Sequence, residues 1–99
     1  MIIVTGTLTA RADTLEPLLA MSIEHVERSR AEPGCLEHGV AVDAQDGRRL
    51  VFFERWADRD ALTAHFKVPA SRAFAKRAAE LVTSPPELAM YDATVLPGR

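Results

Sequence analysis

The sequence predicts an α+β domain in which a four-stranded antiparallel sheet carries helices on one face. Two observations support this prediction. Segments rich in β-branched residues alternate with segments of 3.6-residue apolar periodicity, in the order β-α-β, hairpin, β-α-β. The chain has 99 residues, which is the size of one small domain. We therefore assign one domain to residues 1–99.

The first two elements are a strand and a long helix. The strand is predicted for Ile2–Thr9, which is rich in β-branched residues. The helix has Asp13 or Thr14 as its N-cap. Residues 32–34 (Glu-Pro-Gly) stop it, because the residue before proline avoids the α conformation and glycine closes a helix end. Its predicted buried stripe comprises Leu15, Leu18, Leu19, Ile23 and Val26.

A hairpin and a short helix follow. The second strand is predicted for Cys35–Asp43 and the third for residues 48–56. Residues 45–47 (Gln-Asp-Gly) form the turn between them, where Asp-Gly would supply positive φ angles. Asp58 then caps a short helix. This helix carries Leu62, His65 and Phe66.

The last helix begins at Pro69 or Ser71, and residues 83–86 (Thr-Ser-Pro-Pro) end it. Residues 87–95 form the fourth strand, and residues 96–99 form a tail. This order of elements is the split β-α-β, or ferredoxin-like, pattern. The predicted buried stripe of the last helix comprises Ala70, Ala73, Phe74, Ala78 and Leu81.

Composition and charge exclude several classes of partner. The net charge of −2 argues against a nucleic-acid partner, because phosphate contacts need a concentrated basic surface. Cys35 is the only cysteine, which excludes an intrachain disulfide and a thiol-based zinc site and fits a reducing cytoplasm. No apolar run approaches the ~20 residues of a membrane span, and the first residues lack the features of a signal peptide. We therefore predict a cytoplasmic protein without a membrane or nucleic-acid partner.

The third strand is apolar on both faces. Leu50 and Phe52 occupy one face, and Val51 and Phe53 occupy the other. Such a strand must be covered on both sides, but the helices can cover only one side of the sheet. The pattern predicts that a second copy of the chain covers the other side and that a homodimer forms. The alternative is a monomer with an ordinary mixed surface.

Three segments resemble the antibiotic biosynthesis monooxygenase domains, which form dimeric α+β barrels. They are EPGCLEHGV after the first helix, LVFFERWADRDALTAHF across the third strand and short helix, and PASRAF in the last helix. The likeness covers essentially the whole chain. It implies a pocket between sheet and helices, in which oxygenase members oxidise quinols and anthrones with O2 without metal or flavin. Because this fold serves several chemistries, the motifs indicate the fold more strongly than the reaction.

The resemblance places His65 at the histidine of the family's A-x-H motif. Histidine titrates near neutrality, which suits a general base; a structural histidine at a helix edge is the alternative. The family often has a second histidine where this chain has Ala70. A heme-degrading branch of the fold uses asparagine, tryptophan and histidine at positions that correspond to Gly6, His65 and Ala75. The axial heme ligand is therefore missing, which argues against heme degradation.

Other side chains are candidates for binding the substrate, although each could equally be core or ordinary strand structure. Glu54 is expected to pair with an arginine or to lie at the pocket mouth. His25 is expected to face solvent, and His38 to be buried at the subunit interface. Because the three histidines lie on three elements without ligand spacing, they do not predict a metal site. The substrate-binding candidates are Thr5, Thr7, Trp56, Phe66, Phe74 and Tyr91.

Three functional hypotheses follow. The first is a cofactor-independent monooxygenase that oxidises a small quinol- or anthrone-like aromatic molecule with O2 and uses His65 as its base. The second is a non-catalytic dimer that binds or sequesters a small aromatic molecule. The third is a cofactor-free isomerase or cyclase of polyketide-like compounds that uses the same base.

Overall fold

A computed structural model describes residues 1–98 of the chain. The four strands form one antiparallel sheet in the order β2-β3-β1-β4, so the predicted α+β, ferredoxin-like architecture is confirmed. Arg99, the end of the predicted tail, lies outside the described residues. The elements are β1 (Ile2–Thr9), α1 (Leu15–Ser29), β2 (Cys35–Asp43), β3 (Asp46–Trp56), α2 (Arg59–Lys67), α3 (Pro69–Leu81) and β4 (Glu87–Asp92).

The inner face of the sheet, which packs on the helices, follows from strand alternation. Burial alternates along β1, and its buried residues are paired in register with every second residue of β3. Leu8, Leu50 and Phe52 on this face pack with Leu18 of α1 and Leu81 of α3. The inner face of the two central strands comprises Ile2, Val4, Gly6, Leu8, Leu50, Phe52, Glu54 and Trp56.

The outer face of the sheet carries the second set of apolar side chains. The register places Val51 opposite Thr7 and Phe53 opposite Thr5, on the side away from Leu50. Phe53 is 38% exposed in the single chain. The predicted division of β3 between two faces is therefore confirmed.

Short polar contacts fix where the helices begin. Asp58 caps α2 as predicted, because its Oδ1 accepts a hydrogen bond of 2.8 Å from the backbone N–H of Ala61. Pro69 opens α3. Proline is tolerated there because an N–H in the first turn of a helix has no acceptor within the helix. Thr14 is the N-cap of α1, but its hydroxyl donates to the carbonyl of Leu81 over 2.7 Å. The start of α1 is thereby tied to the end of α3.

Two predicted boundaries were wrong. The β2–β3 turn lies at residues 44–45, and Asp46 already pairs with Asp43 in the sheet. Gly47 does not have the predicted positive φ, because the carboxylates of Asp43 and Asp46 accept hydrogen bonds from the backbone two residues on. The fourth strand ends at Asp92 rather than at residue 95, since its partner β1 begins at Ile2 and offers no further pairing.

Gly34 makes the connection from α1 to β2 possible. Its φ is +82°, and a Cβ at this position would lie 2.5 Å from the Cβ of Ala61 in α2. A side chain would therefore be strained and would push α2 away from the sheet. Among residues 1–98, no helix is long and apolar enough to cross a membrane.

Candidate active site

A cavity of about 260 Å³ lies between the inner face of the sheet and helices α2 and α3. Most of its lining side chains are apolar, as in pockets that take small organic molecules. Exposed Arg72 and Glu87 border it, so the cavity is open to solvent. Its polar lining includes His25, Glu54, His65 and Ser71, and its apolar lining includes Leu8, Phe52, Phe66, Phe74, Ala75, Ala78 and Leu88.

Three imidazoles from three elements meet beside this cavity. His25 comes from α1, His38 from β2 and His65 from α2. The ring centroids of His25 and His38 are 5.3 Å apart, those of His25 and His65 5.4 Å, and those of His38 and His65 5.6 Å. All three side chains are buried, with 2–5% of each residue exposed. Sequence spacing gave no sign of this cluster, because the three histidines lie on three different elements.

His65 is held by a carboxylate from the turn after α1. Its Nδ1 lies 2.9 Å from Oε1 of Glu32, and the ring packs 4.6 Å from the Trp56 ring, centroid to centroid. An Nδ1–H that donates to a carboxylate leaves Nε2 with the lone pair. Within residues 1–98, this Nε2 makes no side-chain hydrogen bond. The arrangement is a carboxylate–imidazole pair on the cavity wall.

Glu54 lies beside His38 rather than beside an arginine, so the predicted pair with an arginine was wrong. The alternative position at the pocket agrees with its place in the cavity lining. Its Oε1 accepts a hydrogen bond of 2.9 Å from Trp56 Nε1 and lies 3.3 Å from His38 Nε2. Burial favours a higher pKa for this carboxyl, but the contacts with His38 and Trp56 outweigh burial and hold the pKa of Glu54 below its usual value. Glu54 is thus a buried carboxylate. His38 is buried within its own subunit rather than at an interface.

Replacement of Glu54 by glutamine should lower the free energy of unfolding by about 1–3 kcal/mol. The amide can still accept from Trp56, but it carries no charge and adds a buried N–H2 group that needs acceptors. Urea denaturation at pH 7 measures the change. Glu80→Gln is the control, because Glu80 pairs with Arg77 on the exposed side of α3 and such a pair contributes roughly 0–1 kcal/mol. Equal small losses in both variants would contradict the buried role of Glu54.

His25 is buried, with 5% of its surface exposed, so its predicted position on the solvent side was wrong. Its ring stacks on Phe74 with centroids 4.2 Å apart and planes 7° apart. Burial, followed by the positive charge that His38 and His65 can carry, lowers the pKa of His25 to about 3. The ring is therefore neutral at pH 7.

Mild acid should destabilise the fold through His25. The pKa of this group is 6.5 in a free histidine and about 3 in the fold, so the unfolded chain binds the proton first as the pH falls. The stabilisation is complete above about pH 6.5 and is lost toward pH 3. Between pH 7 and 5 the free energy of unfolding should fall by about 2 kcal/mol.

Guanidinium denaturation at the two pH values measures this fall. His25→Phe is the matched control, because phenylalanine can keep the stacking on Phe74 but cannot titrate. This variant should lose most of the pH dependence in that range. A wild-type free energy of unfolding that is the same at both pH values would contradict a buried neutral His25.

The structure places the predicted substrate-binding residues in different environments. Phe66 and Phe74 border the cavity together with His65. Thr7 borders it as well, but the register places its side chain on the outer face of the sheet. The other three do not belong to its wall. Trp56 is fully buried in the core with Val4 and Leu62, and Thr5 lies on the outer face of the sheet. Tyr91 of β4 pairs with Ile3 of β1 and is 52% exposed. In the single chain these three residues therefore lie away from this cavity. A fully buried indole and side chains on the outer face of the strands cannot line a cavity on the inner face.

Sequence reasoning missed three polar groups of the site: His25, Glu32 and Ser71. One signal for His25 was present, because it continues the buried row of Leu18, Ser22, Val26 and Ser29 at helical spacing. The predicted stripe instead included Ile23, which is 43% exposed.

Comparisons with known proteins agree with this geometry. A family profile described as Antibiotic biosynthesis monooxygenase matches residues 1–77. A Deinococcus radiodurans structure, assigned by name to the antibiotic biosynthesis monooxygenases, has a TM-score of 0.93 and 25% identity, and the match covers 100% of this chain and 98% of that chain. The structure of Rv0793 from Mycobacterium tuberculosis has a TM-score of 0.90 and 27% identity over 98% of each chain.

A curated Synechocystis protein, described as uncharacterised, is 33% identical to this chain over 90 residues. The match covers 91% of this chain and 61% of that protein. The chain thus spans less than two thirds of the length of this relative.

Proposed function

The chain belongs to the antibiotic biosynthesis monooxygenase family, and from this premise we propose that it oxidises a small, electron-rich aromatic molecule with O2, without flavin or metal. The observation that carries the proposal is the apolar cavity with the His65–Glu32 pair on its wall. A quinol or anthrone fits this setting, because it is flat, can give an acidic proton to a base and is itself the reductant.

The cavity supports binding of a flat ring system. Phe52, Phe66 and Phe74 line it and offer aromatic surface for stacking or edge contacts. Ser71 adds a polar group, since its buried Oγ has no hydrogen-bond partner within residues 1–98. A substrate oxygen could accept a hydrogen bond from this hydroxyl. Binding would then combine apolar contact with one orienting hydrogen bond.

His65 is the proposed base. Its Nε2 would accept the proton of the substrate, and the carboxylate of Glu32 would stabilise the imidazolium that forms. The substrate carbanion or phenolate can then pass an electron to O2, and the two radicals combine to a peroxide anion. In the case of an anthrone, His65 returns its proton to give the hydroperoxide, which loses water to leave a carbonyl. The substrate loses two hydrogens and gains one oxygen atom, and the second oxygen atom leaves as water.

Blocking the cavity tests this proposal. Purified protein treated with a chelator should consume O2 in the presence of an anthrone or a reduced quinone. Ala75→Trp fills the cavity and should lower kcat/KM by about 100-fold, because a displaced substrate loses its alignment with the base. Ala79→Trp, on the exposed part of the same helix, should be unaffected.

The outcomes separate the hypotheses. No O2 uptake above background across a panel of such substrates would contradict the oxygenase. Conversion of a substrate without O2 uptake would favour the isomerase or cyclase, and saturable binding without conversion would favour a binding protein.

We also propose a homodimer. Members of the family are typically dimeric, and Val51 and Phe53 form an apolar strip on the outer face of this sheet. A second copy would cover that strip and join the two sheets face to face. The cavity lies on the other side of each sheet, so each subunit would keep its own site.

A further inference from the structure

The histidine cluster has a feature that the proposed oxidation does not use. The oxidation needs one imidazole, but the cluster contains all three histidines of the chain. One ligand nitrogen from each ring lies within 4.8 Å of the others. Three imidazoles that share one tetrahedral ion through nitrogens at about 2.0–2.1 Å would have ring centroids roughly 5.2 Å apart. The observed centroid distances of 5.3, 5.4 and 5.6 Å are close to that value.

We propose that His25, His38 and His65 together bind one divalent transition-metal ion such as Zn²⁺. The three residues come from α1, β2 and α2, so the ion would link both layers of the fold. The distances between the ligand nitrogens, which are at most 4.8 Å, need to shorten to about 3.3 Å for a tetrahedral ion. Small rotations of side chains that already face one another would provide this.

Unpaired polar atoms in the cluster point to a ligand. His38 is 2% exposed, and neither of its ring nitrogens has a hydrogen-bond partner within the described chain. The contact of His38 Nε2 with Glu54 is close, at 3.3 Å, but lacks hydrogen-bond geometry. Buried polar atoms are rarely left without a partner, and each such group requires an explanation. A metal ion would be the missing partner for the lone pair of the His38 ring.

The surroundings resemble the outer shell of metal sites. Glu32 contacts Nδ1 of His65 over 2.9 Å, and metal-bound histidines usually donate their other ring N–H to such a carboxylate. Arg28 donates a hydrogen bond to Nδ1 of His25 over 3.2 Å, so the neutral ring carries its hydrogen on Nε2. To bind the ion through Nε2, His25 must move this hydrogen to Nδ1 and give up the hydrogen bond from Arg28. Glu54 and Glu32 supply two negative charges near the ion, against one positive charge from Arg28.

The ligand set defines the class of metal. Imidazole nitrogens suit Zn²⁺, Cu²⁺, Ni²⁺ and Co²⁺, whereas Mg²⁺ and Ca²⁺ prefer oxygen. The ion would occupy the nitrogen of His65 that the proposed oxidation uses as a base. Metal binding is therefore a property in addition to the proposed function. Only the metal-free protein would carry out the oxidation.

Titration of chelator-treated, untagged protein with Zn²⁺ tests the site. Calorimetry should show one equivalent per chain, and Co²⁺ should give the visible absorption of a tetrahedral complex. His38→Gln and His65→Gln should each weaken Zn²⁺ binding by more than 100-fold, beyond the roughly 10–100-fold that loss of an outer partner such as Glu32 costs. Cys35→Ser is the control and should bind Zn²⁺ as the wild type does.

The wild type alone also decides the question if a variant does not fold. Because the chain has three histidines and all belong to the cluster, ¹⁵N-labelled imidazole spectra should change for every ring on addition of one equivalent of Zn²⁺. Absence of saturable binding, or unchanged imidazole signals, would overturn the proposal. Binding that survives both histidine variants and is lost in Cys35→Ser would overturn it as well. None of these readouts involves turnover, so failure of the oxidation and failure of the metal site are distinguishable.

Discussion

Replacement of His65 by alanine should lower kcat for anthrone oxidation by roughly 10²–10⁴-fold, the usual contribution of a general base. His65 lines the cavity, and the carboxylate of Glu32 lies 2.9 Å from its Nδ1. Without the imidazole, water must take the proton, and the substrate anion that reacts with O2 forms slowly. Initial rates of O2 uptake at saturating substrate measure the effect.

Chemical rescue separates a base from a structural histidine. Free imidazole should restore part of the activity of His65→Ala, because the deleted side chain leaves a space of matching size. Glu32→Gln should give a smaller loss of kcat, since glutamine keeps an acceptor for Nδ1–H but not the charge that stabilises the imidazolium. Circular dichroism must show that each variant is folded. An unchanged kcat in folded His65→Ala would remove His65 from the mechanism and leave the fold intact.

Replacement of Phe53 by aspartate should convert the proposed dimer into monomers. Phe53 lies between Thr5 of β1 and Gly39 of β2 in the sheet register, on the outer face. In a two-fold interface the substitution buries two carboxylates without partners, at a cost of roughly 3–5 kcal/mol each. Sedimentation velocity at micromolar concentration measures the oligomeric state.

Ile23→Asp is the matched control for assembly. Ile23 is a 43% exposed apolar residue on α1, away from the outer face of the sheet. This variant should sediment as the wild type does. A Phe53→Asp protein that remains a dimer would contradict the assigned interface, and a wild-type monomer would contradict the dimer itself.

The fold was predictable because its signals are local. Alternation places Val51 and Phe53 on one face of β3, and Asp58 caps α2 through its own side chain. The same alternation argues against Thr5 as a cavity residue, because a cavity under the helices needs side chains from the other face. The β2–β3 turn was placed too late, since side-chain acceptors took the place of the expected positive φ angles.

The site was less predictable because its contacts join distant parts of the chain. Glu32 and His65 are 33 positions apart and meet because the turn after α1 packs beside α2. His38 and Glu54 face each other through the β2–β3 register. Trp56 was expected at the cavity and instead fills the core, where its N–H is satisfied by Glu54. Neither the spacing of residues along the sequence nor the composition predicts these side-chain contacts.

Oxidation under ¹⁸O2 tests the central claim most directly. Chelator-treated protein would be mixed with an anthrone under labelled O2, and the product would be analysed by mass spectrometry. A monooxygenase that uses its substrate as the reductant should place one ¹⁸O atom in the carbonyl of the product and the other in water. Product without the label, or with label taken from the solvent, would contradict the account.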